Sequence, residues 1–340
     1  MMSTVLQGIS YALRKEIARK SAWEWAGILM LALAVLFMGG HSAFGADFVW
    51  DGNSVYQCSN TPGCWDIEDN WTADNGYPGD DDSITIADVS PSDTCTYNLE
   101  SEVSPDEVTI GGDSPTQMTL HLRDGAMAID ELLTLLDYSL IDADQNLTVE
   151  KVTTLQGTDF IDVAEDVTAQ LGNVYVLHYG PYVNWFTAQL DATVAGGGVL
   201  TAKSLLVDAY SEDDHVGLIY DGHGATFEVT ESIAVTAAQN CDLGGCTDIK
   251  WAILRVGTGL LKHTGSLSTG AFTIAGGDSY DYRRAIVEVN SEIQSTNVTF
   301  GGGYSQVDVD ATKYFRAGDV NFQSGAIAKK TDSGTFKSGT

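Results

Sequence analysis

Two acidic stretches and one aromatic stretch hold the side chains with the most chemistry to offer. Asp80, Asp81 and Asp82 follow the turn Pro78-Gly79. Adjacent carboxylates are hard oxygen donors of the kind calcium takes. Asp208, Glu212, Asp213, Asp214, His215, Asp221 and His223 form a second acidic run, in which Asp213, Asp214 and His215 are the densest set of metal ligands. The competing account is solvation, because neither stretch has the ligand spacing of an EF-hand or a nonapeptide calcium repeat. Calcium is the one cofactor left open, and none is otherwise expected.

Tyr179, Tyr182, Trp185 and Phe186 crowd around Gly180-Pro181 within residues 175–186, YVLHYGPYVNWF. Aromatic faces of this kind stack on sugar rings, and they also wrap apolar surface. Lys262, Arg283 and Arg284 are the notable cations of the last third. A polysaccharide lyase needs such a basic group beside a uronate carboxylate. A glycosidase needs two carboxylates at a set separation, and 47 Asp and Glu always supply some pair. The chain has no Gly-x-Ser-x-Gly, no His-Glu-x-x-His and no phosphate loop, so no catalytic residue is assigned.

The segments that must position these groups begin with a leader. Arg14, Lys15, Arg19 and Lys20 precede an uncharged apolar run from Ala26 to Gly40. Ala43-Phe44-Gly45 then supplies small residues for cleavage before Ala46, the layout of a secretory signal peptide. The run is shorter than the roughly 20 residues that span a bilayer. An uncleaved anchor is the alternative, and it is the only membrane contact expected. Residues 1–45 are thus read as signal peptide, 46–90 as a Trp- and Asp-rich capping module, and 91–340 as repeats. The expected location is secreted or cell-surface.

The formal net charge is −30, and the leader holds four of the 17 basic residues. Such a surface repels nucleic acid, which is excluded as a partner. In an oxidising compartment, Cys58 with Cys64 and Cys241 with Cys246 each bracket a turn-forming loop suited to a local disulfide. Zinc is the competing reading, but knuckles use closer pairs and four ligands. Cys95 is left over and reads as a small buried apolar residue.

Beyond residue 80 the pattern is β. Ile84-Ile86, Val108-Ile110, Leu120-Leu122, Leu147-Val149, Val174-Val176, Phe227-Val229, Val287-Val289 and Val307-Val309 place apolar residues two apart. That period marks strands with one buried face. Only Asp130 to Asp137 reads equally as helix or buried strand. The last third repeats. Leu261, Leu267, Phe272 and Ile274 align with Val287, Ile293, Val298 and Phe300, then with Val307, Tyr314, Val320 and Phe322. Phe227, Ile233 and Val235 fit an earlier unit, and Glu228, Glu288, Asp308 and Asp310 are expected to face solvent. Units of roughly 20 to 30 residues suit a β-solenoid, with a β-sandwich as the alternative.

Trp50-x-Gly52, Asn70-Trp71, Pro78 and Asp82 before Ile84-x-Ile86 resemble the opening module of secreted bacterial proteins with autotransporter-associated β-strand repeats. Val108-Thr109-Ile110-Gly111-Gly112 and Met118-Thr119-Leu120-His121-Leu122 resemble their strand, Gly-Gly, strand coils. The resemblance covers residues 48 to about 125 and implies a right-handed parallel β-helix started by this module. It implies little about activity, and the Cys58–Cys64 insertion departs from it. Trp50, Trp65 and Trp71 accordingly read as plates that cover a first coil rather than as a sugar site. Thr340 falls within repeat-like sequence, so a longer protein or a covering neighbour is expected. The expected function is a non-enzymatic surface protein of adhesin type, a stiff acidic rod. The alternatives are a β-helix polysaccharide lyase and a glycan-binding module. Extracellular polysaccharide and further copies of the chain are the expected partners.

Overall fold

The alternating runs all form strands in the computed structural model. It describes residues 46–50, 57–58, 61–62, 64–72, 76–86, 94–111, 117–136, 138–156, 160–176, 186–192, 198–209, 215–237, 250–266, 268, 270–277, 283–301, 303–323, 326–331 and 335–338. The leader and its expected signal helix lie outside these residues. Every apolar member of the eight period-2 pairs is buried. The ambiguous stretch after Asp130 is strand, Leu132–Leu135.

Three strands make one repeat. Met118–Leu122, Met127–Ile129 and Leu132–Leu135 are followed by Ser139–Ala143, Leu147–Val149 and Val152–Leu155. Phe160–Val163, Thr168–Gln170 and Asn173–Val176 come next. Each strand pairs in parallel with its counterpart one repeat later. Leu120 aligns with Ile141 and Ile161, Met127 with Leu147 and Ala169, and Leu133 with Thr153 and Val174. Continued along the chain, this gives three columns of stacked strands within one 24-stranded sheet. Among the described residues every pairing between strands of that sheet is parallel, which an antiparallel sandwich does not give.

Parallel register stacks like on like. In the third column Ile86, Ile110, Leu135, Leu155, Val176, Val207, Val235, Ile274 and Phe300 lie in line, all buried. Burying each such side chain contributes about 1.5–3 kcal/mol. The one polar member of the neighbouring ladder, Thr153, is satisfied by donating to the Leu171 carbonyl at 2.8 Å. Cys95 is a free, buried thiol in line with Leu120, and burial pushes its pKa up. The corners use tight backbone. Gly172 has φ +56°, and a Cβ there would come 2.7 Å from the Lys151 carbonyl.

Longer strands serve several columns in turn. His215–Ala237 pairs through Val216–Asp221 in the first column, Phe227–Val229 in the second and Ile233–Thr236 in the third. The register corrects the sequence alignment of the last third. Leu261 stacks between Phe227 and Ile293, whereas Val287 stacks on Leu254. Tyr314 likewise gives its place to Phe315, which aligns with Ile293. The columns from Phe272 through Val298 to Val320 agree with the sequence reading. Corner lengths vary from repeat to repeat, so apolar spacing alone picks the wrong neighbour as the unit start.

The strands of residues 47–49 and 83–86 belong to the same large sheet as the later ones. Asp47–Val49 pairs with Ser83–Ile86, which pairs with Glu107–Ile110. Trp50, Trp65 and Trp71 are buried. Trp71 packs edge-on against Phe48, Trp50 and Trp65 at centroid distances of 6.2, 5.1 and 5.0 Å. Its indole N–H donates to the Trp65 carbonyl, and that of Trp65 donates to the Pro78 carbonyl. Buried Asn70 donates to the Cys64 carbonyl at 2.9 Å. These rings have no free face for a sugar.

Candidate functional site

The sequence-predicted groups fall unevenly on this frame. Tyr179, Tyr182, Trp185, Asp213, Asp214, Cys241 and Cys246 lie outside the described residues. Phe186 and His215 each begin a strand and pair with Val216 and Trp251, but their side chains also lie outside them. In the sequence, these segments outside the described residues fall between the strands that end at Val176, Ala209 and Ala237 and those that begin at Phe186, His215 and Lys250. Cys64 is disulfide-bonded. The backbone of Cys58 forms a short hairpin with Thr61, and its side chain is outside the described residues.

Asp80, Asp81 and Asp82 have different partners. Asp82 accepts from the Ala46 and Gly79 N–H groups, both at 2.8 Å, and Asp80 accepts from Ser104 N–H at 2.8 Å. Their carboxylates fix turns. Asp81 instead meets Asp106 and Asp130, with carboxylate oxygens within 4.8 Å of one another. The three come from the turns that enter successive third-column strands. Their trace in the sequence is an acid at a similar offset before Ile84, Val108 and Leu133.

Burial pushes the Asp130 carboxyl up, and Asp106, Asp81, Glu150 and Glu131 add to the shift. Its folded pKa therefore exceeds its unfolded one, so the folded chain holds the proton more tightly. The group costs stability at neutral pH, and the cost fades as pH falls through the folded pKa toward about 3.9. Asp130→Asn is accordingly expected to stabilise the chain at pH 7 and to flatten its pH dependence. Urea unfolding at pH 7 and pH 4.5 measures both; a variant no more stable than the parent at pH 7 refutes the reading.

A second acidic group runs along the first column. His121, Asp142, Asp162 and Asp221 occupy the same outward position on their strands, and the backbone of Asp191 aligns between Asp162 and Asp221. The His121 Nε2 lies 2.9 Å from Asp144 and 3.7 Å from Asp142. Burial pushes Asp142 up, His121 pulls it down, and Asp144 and Asp162 push it further. Like charges in register repel, so this face favours cations or water over an anionic neighbour. The repeated Ile141-Asp142, Ile161-Asp162, Leu190-Asp191 and Tyr220-Asp221 pairs are its legible trace in the sequence.

The second column differs. Glu228, Lys262, Gln294, Arg316 and Lys337 occupy one outward file. Lys262 pairs with Glu228 at 3.2 Å and Arg316 with Glu292 at 3.7 Å. A groove of about 280 Å³ crosses this file, lined by residues 262–264, 294–296 and 316–318. At its inner edge His263 is buried, with Nδ1 2.8 Å from Ser295 Oγ and Nε2 2.9 Å from the Glu231 carbonyl. Burial lowers the His263 pKa, against backbone hydrogen bonds that raise it. Arg284 lies over the Trp251 ring at 4.9 Å, away from this groove, and the Arg283 side chain is outside the described residues.

Fold and site together place the chain among all-β proteins built on one large parallel sheet. No protein-family model, curated protein or solved structure matches it. Among the described residues no helix is long and apolar enough to cross a membrane.

Proposed function

We propose that the chain is a non-enzymatic, exported surface protein of adhesin type, and that its three columns are the sides of a right-handed parallel β-solenoid. The carrying observation is the register. Strands pair in parallel with their counterparts in the repeats before and after, over continuous buried ladders. That arrangement adds length by repetition and suits a stiff spacer rather than a folded catalytic cleft. The resemblance to autotransporter-associated repeat proteins is consistent with this reading. The net charge of −30 favours an extracellular medium over nucleic acid as the working environment.

The disulfide at Cys64 supports export, and Cys58 is its proposed partner; Cys241 with Cys246 is proposed as a second local bridge. Calcium is the ion proposed for Asp81, Asp106 and Asp130, with water completing its oxygen shell. The proposed partners are extracellular polysaccharide and neighbouring copies of the chain. Tyr179, Tyr182, Trp185 and Phe186 stay as a proposed glycan contact.

One observation favours a second reading, a polysaccharide lyase: Lys262 and Arg316 meet Glu228 and Glu292 beside a groove. Incubation with pectin and alginate, followed by the absorbance of unsaturated products, separates the two. No product is expected. Steady turnover that Lys262→Ala abolishes would sink the non-enzymatic reading.

A further inference from the structure

We infer that the groove across the second column binds a carboxylated oligosaccharide, held at its two ends by Lys262 and Arg316. This rests on the reading of the chain as a non-enzymatic surface protein, and it adds a glycan contact apart from the aromatic stretch.

Charge is the first ground. The chain carries 17 basic against 47 acidic residues, yet three cations fall on one file. Lys262, Arg316 and Lys337 are in register, with neutral Gln294 between the first two. The surrounding negative field disfavours a dense polyanion such as nucleic acid. It tolerates a ligand with one charge per sugar if cations meet those charges directly.

Geometry is the second. The groove takes three consecutive residues from each of three stacked strands. Lys262 and Arg316 sit two strand spacings apart, about 10 Å, so they match carboxylates on separated sugars rather than a single small anion. The floor is kept low by Ala317 and Gly318. A Cβ on Gly318 would come 2.3 Å from the Thr296 carbonyl. A volume near 280 Å³ holds a small ligand segment.

The lining chemistry is the third. Thr264 and Gln294 offer a hydroxyl and an amide group, the Thr296 hydroxyl already donates to the Gly265 carbonyl, and the lining contains no large aliphatic side chain and no Phe, Tyr or Trp. That suits hydroxyl-rich sugar over an apolar ligand. It does not suit catalysis. Both His263 nitrogens have partners at hydrogen-bond distance, Ser295 Oγ for Nδ1 and the Glu231 carbonyl for Nε2. A base must have a free lone pair aimed at substrate. Glu228 and Glu292 already hold the two cations and so compete with the ligand's carboxylates.

Isothermal titration of the full chain with tetragalacturonate, neutral maltotetraose and tetraglutamate tests this. The expected result is binding of tetragalacturonate alone. The Lys262→Ala, Arg316→Ala double variant should weaken it roughly tenfold, two exposed ion pairs being worth about 1.4 kcal/mol together. The Glu228→Gln, Glu292→Gln double variant should tighten it, which a merely structural role for these pairs would not produce. Unchanged thermal melting of the variants shows that the fold persists. No binding of tetragalacturonate at millimolar concentration overturns the site. Equal binding of maltotetraose overturns the charge argument, and equal binding of tetraglutamate overturns the assignment to a saccharide. Product formation in the polysaccharide incubation instead overturns the non-enzymatic reading while leaving binding intact.

Discussion

Phe315→Ala is expected to cost about 3–5 kcal/mol, the range for emptying a buried aromatic site. Phe315 is fully buried in line with Ile293 and Phe336. Its ring lies 5.5 Å from Phe272, which belongs to the third column, and 5.0 Å from Phe336. It therefore ties two columns together across the interior. The backbone on either side is pinned by parallel pairing to the strands Glu292–Phe300 and Thr335–Ser338. The cavity cannot close by sliding one strand, so little of the loss is recovered. In a stack where each repeat touches its neighbours, damage should stay local. Hydrogen exchange should show protection lost first over residues 283–338 and kept over residues 118–155. Uniform loss of protection across both regions would refute repeat-wise stability. Arg316→Ala, on the solvent side of the same strand, should stay within about 0.5 kcal/mol.

Trp71→Ala carries the second large expected effect, again about 3–5 kcal/mol. Three rings pack edge-on against Trp71, and its indole N–H holds the Trp65 carbonyl at 2.8 Å. Its removal leaves a void between Trp50 and Trp65 and an orphaned carbonyl. The strands Asp47–Val49 and Ser83–Ile86 should fray first, read as early loss of exchange protection and a red-shifted tryptophan emission. A variant with unchanged melting temperature but lost glycan retention would show that the tryptophans serve binding instead of packing.

These two sites mark how far local pattern reaches. The period-2 pairs located strands because alternation is a property of a few neighbouring residues. Ile84 with Ile86 and Val307 with Val309 needed nothing beyond their own spacing. The burial of Trp50, Trp65 and Trp71 was equally legible, since large apolar plates beside turn residues have few solvated alternatives. Adjacency of acids in the chain did not show what each one touches. Asp80, Asp81 and Asp82 are neighbours in the chain, but the turn sends two of them to backbone N–H groups and one to Asp106 and Asp130. Nor did spacing reveal the second-column groove, because Lys262, Gln294 and Arg316 come from three separate repeats.

By itself, then, the sequence determined the strand class, the inward residues, the acidic exterior and the burial of the first tryptophans. Tertiary structure decided which repeat lies on which. It placed Leu261 against Ile293 instead of Val287, and it gathered aspartates into one outward file and cations into another. The physical reason is that alternation is local, whereas a parallel strand's partner lies roughly 20 to 40 residues away across corners of unequal length. Only the packed interior, which must keep every ladder filled at once, fixes that register.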